Sequence, residues 1–339
     1  YYLNEKTDRN ETSPIGLDFH DGAGGISFSV PVIAGGDLQE NETDSYSIFG
    51  QIGWSLTDDI SVTIGGRQSW DKKDISRLGT PSATAPGRIF DFDTNEDWGA
   101  FTGKFGIEWQ ATDDIFVYGS ISEGYKSGGY QGSAASELIA ITPFDPEEAL
   151  LYEMGAKTEF WNNRARINAA VFYTDYRDLQ ILQLLVEDDA PPGQTGQLIT
   201  QNAADAEIKG IEIEFTFLPF ENFAIQGSYT YLDTEFTDFF VPAGFRPPDG
   251  GTGAVNTSRT GNSLRNAPKN AYNILFRYDM DIDNGGSLGL QADFRHKDMS
   301  FQDPDVLEFA SVPEYDIVDL RATYMFPNGN VETTLWVRN

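Results

Sequence analysis

Cysteine is absent from the 339-residue chain, which removes disulfides, thiolate metal sites and cysteine nucleophiles together. Histidine is nearly absent too. His20 and His296 stand far apart in sequence, and each reads as a lone polar surface group rather than part of an imidazole metal centre or a Ser-His-Asp triad. No apolar run approaches the ~18 residues that a membrane helix needs. The longest, from Ile181 to Val186, is broken by Gln183. Basic residues are scarce: 23 Lys and Arg stand against 53 Asp and Glu, a net charge of −30. Such a polyanion repels nucleic acid and has no basic patch for anionic headgroups. Most of these carboxylates read as solvated surface. No phosphate-binding loop and no nucleophile elbow is present, and paired carboxylates are too common here to mark a glycosidase. Asp91-Phe92-Asp93-Thr94-Asn95-Glu96-Asp97 begins like a calcium loop, but Glu96 stands where glycine is needed and Thr102 where the bidentate glutamate belongs. The expectation is no catalytic constellation, no metal site and no cofactor.

Aromatic residues are plentiful instead, at 13% of the chain, alongside 34 glycines. That mixture suits a β protein with many turns. Alternation confirms the period. Ile60, Val62 and Ile64 alternate with Ser61, Thr63 and Gly65; Ile211, Ile213, Phe215 and Phe217 alternate with Glu212, Glu214 and Thr216. Similar runs follow from Phe223, Tyr272 and Leu288. Turns come in two lengths. Short ones with Asp, Asn, Gly and Pro fall near 58, 113, 162, 220, 284 and 328. Long ones cover roughly 10–43, 74–96, 127–147, 186–196, 239–265 and 301–311. Strict alternation of short and long turns, in repeats of about fifty residues, predicts an antiparallel up-and-down transmembrane β-barrel. Its strands, about 10–18 residues long, exceed the ~9–11 needed to cross a bilayer. A soluble β-sandwich or propeller, with strands of ~5–6 residues, is the alternative.

Hairpin counting gives about thirteen strands, and an odd number cannot close a bacterial barrel. Tyr1-Tyr2-Leu3-Asn4-Glu5 and Leu335-Trp336-Val337-Arg338-Asn339 both look like the middle of a pattern, so truncation at both ends is expected. Trp54, Trp70, Trp98, Trp109 and Trp161 lie where strands meet turns, as interface girdles do. Arg67, Glu212, Glu214, Arg277, Asp293, Arg295, Asp319 and Arg321 fall on the face expected to line the lumen.

Four segments resemble TonB-dependent outer-membrane receptors, in that family's order. They are Val117 to Tyr130 (VYGSISEGYKSGGY), Phe144-Asp145-Pro146-Glu147 with Tyr152 to Lys157, Arg166 to Gln180, and Asn202 to Glu214. The resemblance implies a 22-stranded barrel, of which residues 1–339 would be the later part, without plug, TonB-contacting segment, early strands or last strand. It implies import of a scarce solute, most naturally a ferric siderophore, energised through the TonB complex. A passive porin is the alternative that keeps the barrel. The first segment begins as a strand, with Ile115, Val117 and Ile121 toward lipid, and becomes extracellular rim past Glu123. There Tyr125, Lys126 and Tyr130, with Arg67 and Trp70, are the candidate ligand contacts; Lys126 and Arg246 are candidate offsets to the acidic loops. Glu212, Glu214, Arg277, Arg295 and Arg321 are the candidate plug-facing residues.

Overall fold

The computed structural model describes residues 2–19, 28–79, 90–132, 137–187, 197–239, 245–246, 258–283, 285–304, 306 and 308–339. The strands are β1 (Tyr2–Phe19), β2 (Phe28–Ser55), β3 (Ile60–Gly79), β4 (Phe90–Thr112), β5 (Ile115–Lys126), β6 (Glu147–Phe160), β7 (Ala165–Glu187), β8 (Gln197–Phe220), β9 (Phe223–Phe239), β10 (Phe245–Arg246), β11 (Asn270–Asp281), β12 (Ser287–Lys297), β13 (Ser300–Phe301), β14 (Ser311–Val312), β15 (Tyr315–Met325) and β16 (Glu332–Val337). Thirteen of them form one antiparallel sheet in chain order, β1 through β9 and then β11, β12, β15 and β16. The short β10 hangs on β7, and β13 pairs only with β14. One five-residue helix, α1 (Glu137–Ile141), lies between β5 and β6.

The near turns are as tight as their residues predict. Asn162, Asn163 and Asn222 take φ of 53°, 60° and 65°, a left-handed conformation that asparagine tolerates. Trp161 joins them at 61°, with the Arg164 guanidinium 5.8 Å from its ring. The far ends depart from expectation. β2 has 28 residues and β8 has 24, so segments read as long loops at 10–43 and 74–96 are largely paired strand. The reason is chemical. Above the bilayer both faces of a strand meet water, so pairing continues through Lys72↔Asp97, Lys73↔Glu96 and Asp74↔Asn95 without any apolar alternation to reveal it. The calcium-like run Asp91–Asp97 is part of β4; Asp91, Asp93 and Asp97 share one face of an extended strand, strung out at ~7 Å per two residues, and Glu96 takes the other, so they cannot converge on one ion.

Outward side chains make an apolar band. Val62, Ile107, Gly119, Met154, Val171, Ile211 and Tyr231 form one continuous register row, and Ile64, Phe105, Ile121, Tyr152 and Tyr173 the next. Large apolar groups in this band stay open, Ile52 at 74% exposure and Met154 at 61%. A soluble protein does not present such a surface; a bilayer covers it. Two concavities, about 630 Å³ around Phe276, Leu290 and Leu335 and about 490 Å³ around Phe105, Ile121 and Met154, lie between these outward side chains. No described helix is long and apolar enough to cross a membrane. Interior-type packing is local: Ile181, Ala204, Ala206, Phe236 and Phe239 cluster near the far ends of β7, β8 and β9. Register rows also climb. The row starting at Ile60, beside a near turn, runs through Trp109, Val117, Ala156, Ala169, Ile213, Tyr229, Tyr272 and His296 to Asp316 at the far end of β15. This stagger is the shear that tilted barrel strands require.

Candidate functional site

β5 pairs with β4 only as far as Ser122, then stays with β6 to Lys126↔Glu147. Where β4 and β5 part, the Glu123 carboxylate accepts the Gly103 N–H at 2.7 Å. A small cavity of about 120 Å³ opens there, lined by Phe101, Glu123, Tyr125, Glu148, Asp175 and Arg177. Beyond Lys126 the chain turns back over the far ends of β3 and β4. Glycine is required at 128, because a Cβ there would lie inside contact distance of the Phe144 carbonyl and the Trp98 indole. The next residue is clamped by two backbone bonds, Gly129 N–H to Phe144 O at 3.0 Å and Phe144 N–H to Gly129 O at 2.8 Å.

Three side-chain amides then fix the segment to β7 and β8. Gln131 donates to the Thr200 carbonyl and accepts the Thr200 N–H at 2.8 Å. Gln180 donates to the carbonyls of Ser127 at 2.9 Å and Asp145 at 3.0 Å, while its own N–H meets Glu147 at 2.8 Å. Asn202 accepts the Asp145 N–H at 2.7 Å and donates to the carbonyls of Asp145, Pro146 and Asp178. On the other side Lys73 donates to the Gly128 carbonyl at 2.6 Å, and Trp98 meets Tyr130 edge to face with ring centres 6.3 Å apart. The Lys73 ammonium lies 5.7 Å from the Trp98 ring. The described residues of 127–147 are thus a fitted wall, held through the backbone of Ser127, Gly128, Gly129, Phe144, Asp145 and Pro146.

Its electrostatics are set first by burial and then by carboxylates. Burial raises the Tyr130 hydroxyl above its ordinary pKa; a Thr94 hydrogen bond opposes this, and the charges of Glu96, Asp74 and Asp97 add to it. Burial, followed by the Asp71 carboxylate and then Glu148, raises Tyr125 strongly. Burial lowers Lys73; Asp71 opposes this and Lys126 adds to it.

Of the sequence candidates, Lys126 and Tyr130 belong to this wall. Lys126 pairs with Glu147 at 3.3 Å and remains 60% exposed. Tyr125 lies in the seam between β4 and β6, among the groups lining the small cavity. Arg67 faces inward on β3, bonded to Ser69 at 3.0 Å and 5.8 Å from the Phe49 ring. Trp70 takes the opposite, outward face of β3 with Val62 and Ile64, at the top of the band, so it does not join Arg67. Trp98, expected in the girdle, is instead the inward tryptophan, opposite Asp71. The Arg246 backbone pairs with Val186 and its side chain lies outside the described residues, as does His20. His296 is not alone: Asp316 and Asp298 flank its ring at 2.8 and 3.0 Å.

The five plug-facing candidates, Glu212, Glu214, Arg277, Arg295 and Arg321, all lie on the face opposite the apolar band and all are exposed. Glu214 and Arg295 share one row, Lys157–Asn168–Glu214–Ser228–Asn273–Arg295. Glu212 lies in the adjacent row beside Thr230. Arg277 and Arg321 share another row through Gln291, and Arg277 pairs with Asp279 at 2.8 Å and Arg295 with Asp319 at 2.5 Å. Lys73, Gln131, Gln180 and Asn202 were not singled out from sequence. Asn202 and Glu147 do fall inside the family-like segments, which was their only signal. Among the described residues, no group of three His, Asp or Glu could hold a metal ion.

Comparison with known proteins agrees with this geometry. The model of the TonB dependent receptor-like β-barrel family matches residues 2–339. The pesticin receptor of Yersinia enterocolitica is 29% identical over 201 residues, covering 58% of this chain and 27% of that protein. A probable TonB-dependent siderophore receptor of Acinetobacter baumannii, PiuA, is 25% identical over 296 residues, covering 84% of this chain and 36% of that one. The chain thus spans roughly a third or less of these relatives' length. Among solved structures, the ferric yersiniabactin uptake receptor of Yersinia pestis superposes with a TM-score of 0.74 at 19% identity, over 100% of this chain and 45% of that one. The chain belongs to the β-barrel family of TonB-dependent receptors, an outer-membrane family of transport receptors and not of enzymes.

Proposed function

We propose that the protein containing this chain imports a ferric siderophore, held at the outer mouth of the barrel and released inward by TonB-coupled work. The observation that carries the reading is the fitted wall at 127–147. It presents Tyr130, Trp98 and Lys126 at the mouth on a surface already fixed by Gln131, Gln180 and Asn202. A surface ordered before binding loses little freedom when a ligand arrives, which favours capture of a dilute solute. Arg67, and Tyr125 in the adjoining seam, extend the same region. The names of two similar proteins, receptors for metal-pseudopaline and ferric pyoverdine, support a chelated metal as cargo. Glu212, Glu214, Arg277, Arg295 and Arg321 would meet the plug. No observation favours a passive porin, and the open apolar band disfavours a soluble β-sheet protein.

The test is iron-55 uptake by a strain lacking the gene and by the same strain carrying the intact receptor. Uptake should require the receptor and stop when a protonophore collapses the proton-motive force. Receptor-dependent uptake that survives the protonophore would make the barrel a passive channel.

A further inference from the structure

Resting on the import reading above, we propose that the mouth selects metal chelates of zero or positive net charge and discriminates against polyanionic ones. The aromatic groups that the wall offers, Trp98 and Tyr130, are half-buried and meet edge to face, with Lys73 already over the Trp98 ring; an aromatic quadrupole attracts cations and neutral polarised groups rather than anions. The cations beside them are already engaged. Lys73 is half-buried and donates to Gly128; Lys126 faces Glu147, whose side chain is only 13% exposed. On the outward face of these strands Lys72 pairs with Asp74, Arg177 with Asp175 and Lys209 with Glu207, so these cations add nothing to the wall. The carboxylates of Glu96, Asp74 and Asp97 act on the Tyr130 hydroxyl, and those of Asp71 and Glu148 on Tyr125. A trianionic chelate resting on this wall would enter several carboxylates' field within one Debye length, ~8 Å at physiological salt. A neutral or cationic chelate meets no such barrier, and its peripheral amides or hydroxyls can bond to the wall. The acid excess of the whole chain, net −30, has the same sign.

The experiment supplies iron-55 as neutral ferrichrome, as cationic ferrioxamine B, as trianionic ferric enterobactin, and as chelates from iron-limited medium separated by electrophoresis at neutral pH. Uptake that depends on the intact receptor should come from the neutral or cationic chelates, at least about tenfold above the anionic ones. A Glu147→Gln variant, which uncovers Lys126, should shift uptake toward the anionic chelates. Receptor-dependent uptake of anionic chelates at an equal or greater rate would overturn the charge selection and leave the import reading standing. A Glu147→Gln effect equal on all charge classes would likewise overturn it. Receptor-independent iron uptake from every fraction would overturn the import reading, and the selection with it.

Discussion

Replacing Gly128 by alanine puts a methyl group where the Phe144 carbonyl and the Trp98 ring already lie. Neither neighbour yields easily. The carbonyl is bonded to Gly129, and the indole is held by Tyr130 and Lys73. Overpacking of this kind costs about 1–3 kcal/mol. If the segment moves to relieve it, the Gly129–Phe144 bridge and the Lys73 bond to Gly128 weaken, at about 1 kcal/mol for each neutral bond and somewhat more for the charged one. A local destabilisation of about 3 kcal/mol is expected, or ~150-fold in the opening equilibrium. The sheet does not depend on this segment, so the change belongs to the loop alone. The assay is hydrogen exchange of the intact receptor in micelles. The Gly129 and Phe144 amides should exchange about a hundredfold faster in Gly128→Ala, with β6 and β7 amides below the bilayer level unchanged. Equal protection of Gly129 and Phe144 in both proteins would refute the fitted-wall reasoning.

Asn202→Asp exchanges two donors for acceptors opposite the carbonyls of Asp145, Pro146 and Asp178, so it should loosen the segment more than Asn202→Ala does; limited proteolysis within 127–147 reads the order. Met154→Arg, on the outward band, should destabilise the barrel by about 2–4 kcal/mol in lipid vesicles, whereas Glu153→Arg on the inward face should cost much less; urea unfolding in vesicles compares them. His296 lies above the band, and hydrogen bonds that its ring donates to Asp298 and then to Asp316 raise its pKa. Its contribution is therefore complete below the unfolded value near 6.5 and is lost as pH rises through the higher folded value. NMR titration should show a raised midpoint that Asp316→Asn lowers.

Near the short turns and inside the bilayer, the fold was legible in the residues. Ile60, Val62 and Ile64 alternate with polar neighbours because only one face meets lipid, and that contrast is written in side-chain type. Above the band the contrast vanishes. Lys72, Asp74, Glu96 and Asp97 are compatible with strand or loop, and only the pairing partner decides between them. Single-residue assignment failed where face mattered more than type: Trp70 and Trp98 both read as strand-end residues, yet both lie within paired strands and point to opposite sides because they fall on opposite parities. Asn202 and Gln180 carry the wall through bonds to backbone carbonyls of residues far away in sequence, and no local pattern announces such a bond.

The segment from Gly128 to Gln131 touches β3 through Lys73 and β8 through Thr200. Those strands are five sheet spacings apart, ~24 Å along the wall. Four residues stretch only ~10 Å from first to last, and two side chains make up the remainder. The segment is therefore a tie across an arc. Its covalent length limits how far the chain above those two strands can be drawn out, over a sheet whose own spacing is held by the pairing of the strands between.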